Sequence, residues 1–490
     1  MQIRWANAIS GIEHFSRRCS VGIRHLWAFS AMKTPLHISS GIPINRKNAL
    51  AVLCMHTVLF AQAQIPLQSP RQQKTSPNQP QVPKTQKADL RIDLGLILPQ
   101  PRFLLDRTVY QTIDFVDERH LLVTSPVKEL LSRIVDDPDT DEDRMVKAQL
   151  VELPSGTVVG ETKWRLHDGW RYLWRLGRGQ FLLRIRGRLS TFSPLEALKA
   201  DKPFVDKELL IAEGAFKGIG VSPDGTFLQI EMQEQPDSLK GDPGKLKQRL
   251  KTKAIFAEQV ERDGSIVYQV RGDADFAGAA AVPMLSAGLL DLVREDSQHW
   301  GFEWKPYGGG QAVDLAGLET SCPPLAAFVS GFEFIGLGCR GDVAHSEIGA
   351  FDLEGKALWL MVLAGESNSP SMKTAAQAGR FAYSRLLSIM GSGPSSNTPE
   401  TVQGQEIQVY QTSSGRPLAK VLAVPPQQAG LNFDLSPDGS RLAVAEGRTI
   451  EIFNLPQPTA QEKKELQHAL SAAPRPGEAR IHLTGGDGDR

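Results

Sequence analysis

The chain has 490 residues, 55 of them basic and 55 acidic, with 44 glycines, 32 prolines and 4 cysteines. The balanced charge excludes a global field that would favour nucleic acid or an anionic membrane. An apolar content of 41% is enough for a sizeable core, and the Gly and Pro content suits a chain with many turns.

Residues 1–45 carry no convincing hydrophobic period. Arg46-Lys47 then precede an uncharged, mostly apolar run from Ala49 to Phe60, followed by Ala61-Gln62-Ala63. A basic start, a short apolar run and a small-x-small site form the pattern of a secretory signal peptide. The run is too short to span a bilayer comfortably. The expectation is a secreted or periplasmic protein cleaved after Ala63, with residues 1–63 as an upstream extension plus signal and no transmembrane anchor after cleavage. The depth of the signal makes Met32, rather than Met1, a candidate true start.

Gln64 to Lys87 is rich in Gln, Pro, Ser, Thr and Lys and poor in large apolar residues. Such a stretch cannot bury enough surface to offset its ordering entropy, so 64–89 reads as a disordered linker. Removal of the signal leaves Cys322 and Cys339, an even pair in an oxidising compartment, each at the end of a probable strand. A hairpin-type disulfide between them is expected.

From Leu90 onward, short apolar alternations recur with turn signals between them. Arg91 to Leu98 reads as a strand. Thr112 to Val116 and His120 to Thr124 make a strand pair. Four hairpins follow with Gly in the turn: Lys147 to Glu161, Ala254 to Arg271, Ile348 to Val362 and Ile407 to Val421. A second hairpin type is built on Ser222-Pro223-Asp224-Gly225 and returns unchanged at Ser436-Pro437-Asp438-Gly439, each time between apolar runs. Pro presets φ, Asp can bond back to its own backbone and Gly accepts positive φ.

At 217–271 the two hairpin types come in succession, enough for one four-stranded antiparallel sheet. Such sheets at irregular intervals fit the blades of a β-propeller. The units at 214–271 and 407–455 resemble WD-like and TolB-like propeller repeats, whose turn between the first two strands is often Ser-Pro-Asp-Gly; the Trp-Asp dipeptide of WD repeats is missing. The resemblance implies an all-β propeller over 90–457. The hairpins count to six or seven four-stranded blades, with seven favoured. The last unit supplies only three strands before Pro456-Gln457-Pro458. Its missing outer strand is expected from Arg91 to Leu98, which would close the ring and remove a free edge. Residues 458–490 read as a largely disordered tail with one amphipathic stretch, Gln461 to Leu470.

Three sites stand out. Trp164, Trp170 and Trp174 lie among many arginines, and Arg184, Arg186 and Arg188 alternate with apolar residues as if on one strand face. Guanidinium forks suit phosphate, carboxylate or sulfate, and Trp faces stack sugars or bases. An anionic-glycan site is the sharp reading; a solvated outer strand with aromatics packed between blades is the bland one. Asp137, Asp139 and Asp141 are spaced as in a calcium loop, but Glu142 replaces the Gly expected there. That run reads either as a Ca²⁺ ligand set or as an insertion facing the basic segment. His120, His167, His299 and His345 form no HxH or HExxH. No cofactor is implied.

By analogy with propellers, the first functional expectation is a non-enzymatic binding scaffold for a protein or glycan of the cell envelope or exterior. The alternative is a propeller hydrolase or lyase with a site at the central channel. Acidic or His side chains from different blades meeting at one end of that channel would discriminate the two.

Overall fold

A computed structural model describes residues 85–477 and 481, apart from 96–110, 128, 130, 132–142, 168–170, 196–203, 212–214, 234–251, 277–282, 308–309, 341–342, 364–367, 389–401, 424–429, 447 and 478–480. Seven four-stranded antiparallel sheets follow one another along the chain. They are the seven blades of a β-propeller. In six blades the four strands are consecutive in sequence; blades 1 to 6 begin with Thr112–Phe115, Leu173–Arg175, Ala215–Val221, Met284–Leu285, Leu325–Phe328 and Asn368–Ala375.

The seventh blade is assembled from both ends of the ring. Its first three strands are Phe433–Leu435, Arg441–Glu446 and Thr449–Asn454, and its outer strand is Leu90–Asp93. Leu90 pairs with Ile452 and Ile92 with Ile450, and Arg91 forms an ion pair with Glu451. This is the closure that the missing strand implied, in a strand shorter than the apolar alternation suggested. Closing the ring in this way satisfies backbone groups that a free edge would leave to solvent.

The inner strands are continuous apolar runs, as in Leu121-Leu122-Val123 and Leu442-Ala443-Val444-Ala445, so each blade carries apolar rows on both faces. Stacked blades therefore bury those rows against each other, and the core divides into seven clusters, one per seam. Between blades 7 and 1, Ile92, Ile450 and Ile452 meet Ile113, Phe115 and Leu121. Between blades 4 and 5, Phe302, Phe334 and Phe351 pack with ring centroids 5.0–5.3 Å apart. The seam between blades 3 and 4 is small: Phe227, Ala254 and Phe256 face Met284, Leu289 and Tyr307, and Ile481 completes it.

The amphipathic stretch of the tail is a helix, Ala460–Ala472, opened by a capping box in which Thr459 and Glu462 bond reciprocally. Glu462 also accepts from Arg416 at 2.7 Å and from Ser414 at 3.0 Å, tying the helix to blade 6. His468 stands edge-on to Phe332 of blade 5. Further on, Ile481 pairs in parallel with Gly272, and its N–H donates to the Arg271 carbonyl at 2.9 Å. A side chain at position 272 would collide with Ile481, whose nearest atom lies 2.3 Å from the place a Cβ would take. The order comes from tertiary contacts: Ile481 fills a gap that two blades leave, which local composition does not reveal.

The basic segment also folds differently from the single strand read in the sequence. Phe181–Ile185 and Arg188–Phe192 are two strands of blade 2, and the chain turns between them at Arg186-Gly187. Arg186 adopts a positive φ of 53° there. The turn breaks the proposed row of guanidinium groups, because residues on opposite sides of a hairpin no longer share one strand's alternation.

Candidate functional site

The first strands and the turns that follow them converge on a central cavity of about 410 Å³. Six blades line it; among the described residues blade 4, whose first strand is only Met284–Leu285, contributes none. Both Ser-Pro-Asp-Gly turns reach it, through Ser222 to Gly225 and through Pro437. The cavity therefore opens among the turns that join the first and second strands.

Its charged groups come from five blades: Asp114, Asp117 and Glu118 from blade 1, Arg171, Arg175 and Arg178 from blade 2, Asp224 from blade 3, Lys373 from blade 6 and Asp434 from blade 7. Arg175 Nη1 donates to Asp434 Oδ2 and to the Leu435 carbonyl, both at 2.8 Å, and its Nη2 donates to the Thr374 carbonyl at 2.9 Å. Lys373 Nζ donates to Asp114 Oδ1 at 3.1 Å and lies 3.9 Å from Asp434 Oδ1. The Phe115 N–H donates to Asp434 Oδ2 at 2.8 Å. Arg171 lies 5.3 Å from the centre of the Trp174 ring and donates from Nε to the Leu173 carbonyl.

Burial shapes the electrostatics. It pushes the Arg171 guanidinium down to about 10, against the pull of Asp114 and Asp434, so the group remains charged at neutral pH. It also raises the Asp434 carboxyl, a rise that Arg175 and Lys373 only partly oppose. Three buried polar atoms of the lining have no hydrogen-bond partner: Trp174 Nε1, Ser371 Oγ and Asp434 Oδ1. A buried polar atom left unpaired costs about 1–3 kcal/mol, a cost that the folded ring carries here.

The residues singled out from sequence are dispersed. Trp164 is buried between blades 1 and 2, edge-on to Phe192 at 5.6 Å and to Phe204 at 6.0 Å. Trp174 is buried in the seam between blades 2 and 3 and also lines the central cavity. Trp170, Asp137, Asp139 and Asp141 lie outside the described residues. Arg184 lies 5.7 Å from the centre of the Phe216 ring. Arg186 donates to both oxygens of Asp143, at 2.8 and 2.9 Å, and Arg188 donates to Asp206 at 2.7 Å.

Asp143, the last residue of the acidic run, does meet the basic segment. Its fully buried carboxylate also accepts from Arg165 Nε at 2.6 Å and pairs with His167 at 3.0 Å. Burial alone would raise this carboxyl, but the bonds from His167, Arg165 and Arg186 hold it below its usual value. This is a structural anchor between blades 1 and 2. His120 and His299 are engaged in the same local fashion, by Asp117 and Asp296 three residues earlier. Cys322 and Cys339 are joined as a disulfide, with Cα atoms 5.5 Å apart. It links the start of blade 5 to its second strand.

No local motif announces the central site. Asp114, Arg175, Lys373 and Asp434 lie in four different strands, and only closure of the ring brings them together. The available signal was a charged residue inside a short buried first strand, as in Thr112–Phe115 and Phe433–Leu435.

No protein-family model matches the sequence, and no curated protein sequence matches it. Solved structures match in architecture. The acylaminoacyl peptidase of Pyrococcus horikoshii is 10% identical, with a TM-score of 0.41, over 74% of this chain and 54% of that one. Sqt1 of Chaetomium thermophilum, bound to the N-terminus of the ribosomal protein L10, is 9% identical with a TM-score of 0.39, over 75% of this chain and 99% of that one. The C-terminal WD40 domain of Sif2 is 10% identical with a TM-score of 0.34, over 76% and 99%. Similarity at this level concerns the fold alone.

Proposed function

We propose that the protein is an exported binding scaffold whose ligand site is the central cavity. The observation that carries this reading is the convergence of six blades on a space within the size of small-ligand pockets, about 300–1,000 Å³, lined by charged side chains of several blades. The rigid ring holds those side chains in place before any ligand arrives, which limits the ordering cost of binding. Export rests on the Arg46-Lys47 to Ala63 pattern, and the Cys322–Cys339 disulfide is consistent with an oxidising compartment. A partner in the cell envelope or outside the cell follows from that address.

Saturation-transfer NMR with a library of small polar compounds and short peptides tests the scaffold reading. Hits on the wild type should vanish in a Ser371→Phe variant of unchanged melting temperature, which fills the cavity. Absence of hits, or hits indifferent to the block, sinks it.

One observation favours a second reading. Two carboxylates from different blades, Asp114 and Asp434, meet at the cavity, and the Asp434 carboxyl is raised as a general acid's would be. A channel hydrolase or lyase would lose turnover in Asp434→Asn while keeping ligand affinity; a scaffold has no turnover to lose.

A further inference from the structure

The seam between blades 3 and 4 lacks a side chain that other seams possess. In the outer strands of blades 2, 3, 5 and 6 one residue stands outside the pairing as a β-bulge: Leu209, Arg271, Leu358 and Leu418. The residue after the bulge is Leu210 in blade 2, Trp359 in blade 5 and Ala419 in blade 6, and each packs into the seam with the next blade. In blade 3 that residue is Gly272. Ile481 of the tail supplies the missing side chain from outside the sheet, buried to 2% exposure. We propose that the edge of blade 3 at Gly272 is a docking site for an extended peptide bearing a β-branched aliphatic residue. The chain's own tail fills it through Ile481, and a partner's segment of the same chemistry takes it by displacing the tail.

The notch reads a backbone and one side chain. The Ile481 N–H donates to the Arg271 carbonyl at 2.9 Å, and Ile481 pairs in parallel with Gly272. The Arg271 guanidinium, held by Glu258 at 2.7 Å, donates to the Gly477 carbonyl. Both bonds use main-chain groups that any peptide carries. A glycine in a strand is where a second backbone can approach closely, and Gly272 has one against it. The Ile481 side chain enters among Phe227, Phe256, Met284, Leu289 and Tyr307, with the Tyr307 ring 5.9 and 5.6 Å from the two Phe rings. Such a lining accepts an aliphatic side chain and penalises a charged one. Main-chain bonds for affinity and one pocket for specificity are the terms of recognition by strand addition.

The edge offers more than the tail uses. The outer strand of blade 3, Ser265–Phe276, is 12 residues long, and among the described residues the tail pairs with it at Gly272 alone. Val270, beside the notch, is 60% exposed. A longer extended segment would continue along this edge and gain bonds that the tail does not make. The ring does not need the tail to close, because Leu90–Asp93 closes it. The site shares no residue with the lining of the central cavity, so the two stand or fall separately.

The test is fluorescence anisotropy of two labelled peptides titrated with the full chain. One peptide matches residues 475–485; the other is a heptapeptide alternating threonine and isoleucine between terminal lysines. Ile481→Asp, which empties the notch, should bind both. The wild type should bind both measurably but at least about tenfold more weakly, because its tethered tail competes at high effective concentration. Gly272→Val added to Ile481→Asp should abolish binding of both. Thermal melts check that each variant folds, and Ile481→Ala empties the notch if Ile481→Asp does not fold. Failure of the folded, emptied chain to bind either peptide overturns the proposal. Affinity unchanged by Gly272→Val, or equal in the wild type and the emptied chain, also overturns it. Binding of the tail peptide alone overturns the partner assignment and leaves the notch to the tail: that of the same chain if the wild type stays monomeric, that of a second copy if it dimerises with concentration.

Discussion

The two Ser-Pro-Asp-Gly turns have the same sequence and the same internal bonds, yet they hold their seams in different ways. In each, the Ser hydroxyl donates to the Asp carboxylate and the Gly N–H donates to the Ser carbonyl, at 2.9 Å in the first and 2.8 Å in the second. Gly225 presses directly on the backbone of blade 2, where its carbonyl accepts from the Gly177 N–H at 2.8 Å. Gly439 instead offers its carbonyl to Arg380 of blade 6, a buried arginine that also donates to the Pro456 carbonyl and to Gln411 Oε1. One seam is closed by backbone on backbone, the other by a side-chain clamp. The repeat fixes the turn, and the neighbouring blade decides how it is received.

The largest expected effect comes from removing the clamp. Arg380→Met leaves three acceptors without their donor in a buried setting and should cost about 3–5 kcal/mol, with a lower denaturation midpoint. At the other seam the side-chain contribution is smaller, a single bond from Gln259 Nε2 to the Gly177 carbonyl at 3.1 Å, and an Arg380→Met loss below about 1 kcal/mol would mean that the two seams do not differ as described. Gly225→Ala should follow at about 3 kcal/mol, because φ is +73° and the new Cβ would lie 2.2 Å from the Gly177 nitrogen. Gly439→Ala should cost less, about 2 kcal/mol: φ is similar at +66°, but the nearest atoms are side-chain carbons of Ala378 and Arg380. If Gly439→Ala proved the more damaging, backbone contact would not be the stiffer constraint. Gly264→Ala, at φ +71° with open space around it, isolates the backbone term and should cost about 1 kcal/mol.

The smallest effect is a pH dependence at the second turn. Burial raises the Asp438 carboxyl, but bonds from Ser436 and Ser440 prevail and hold it below its ordinary value. A carboxyl lowered in the folded state contributes stability above its unfolded value, and that contribution fades as pH falls through its folded value. Urea titrations of Asp438→Asn should therefore show a deficit at pH 7 that shrinks by pH 3. A deficit constant with pH would assign the turn's stability to its backbone bonds alone.

Much of this architecture was legible because propeller blades are local objects. Ala254 to Arg271 and Ile348 to Val362 are hairpins whose pairing follows from alternation and a Gly turn, and both form as read. Even the long-range closure through Leu90–Asp93 could be inferred, since a three-stranded last blade leaves an edge to be covered. The basic segment misled because arginines alternating with apolar residues look like one strand, whereas Arg186-Gly187 is a turn that sends Arg186 to Asp143. The central site stayed hidden for another reason. Asp114 and Asp434 are each the single charged residue of a short buried strand, and local sequence carries no record of which strands will face one axis.

The sequence by itself determined the all-β class, the hairpin units, the turn chemistry at Gly225 and Gly439 and the strand that closes the ring, because each depends on alternation and φ preference over a few residues. Only the tertiary structure decided the seven seams, the insertion of Ile481 between blades 3 and 4, and the meeting of Arg175, Lys373, Asp114 and Asp434 at the cavity. Those depend on which blade stands beside which. That neighbourhood exists only once the ring has closed.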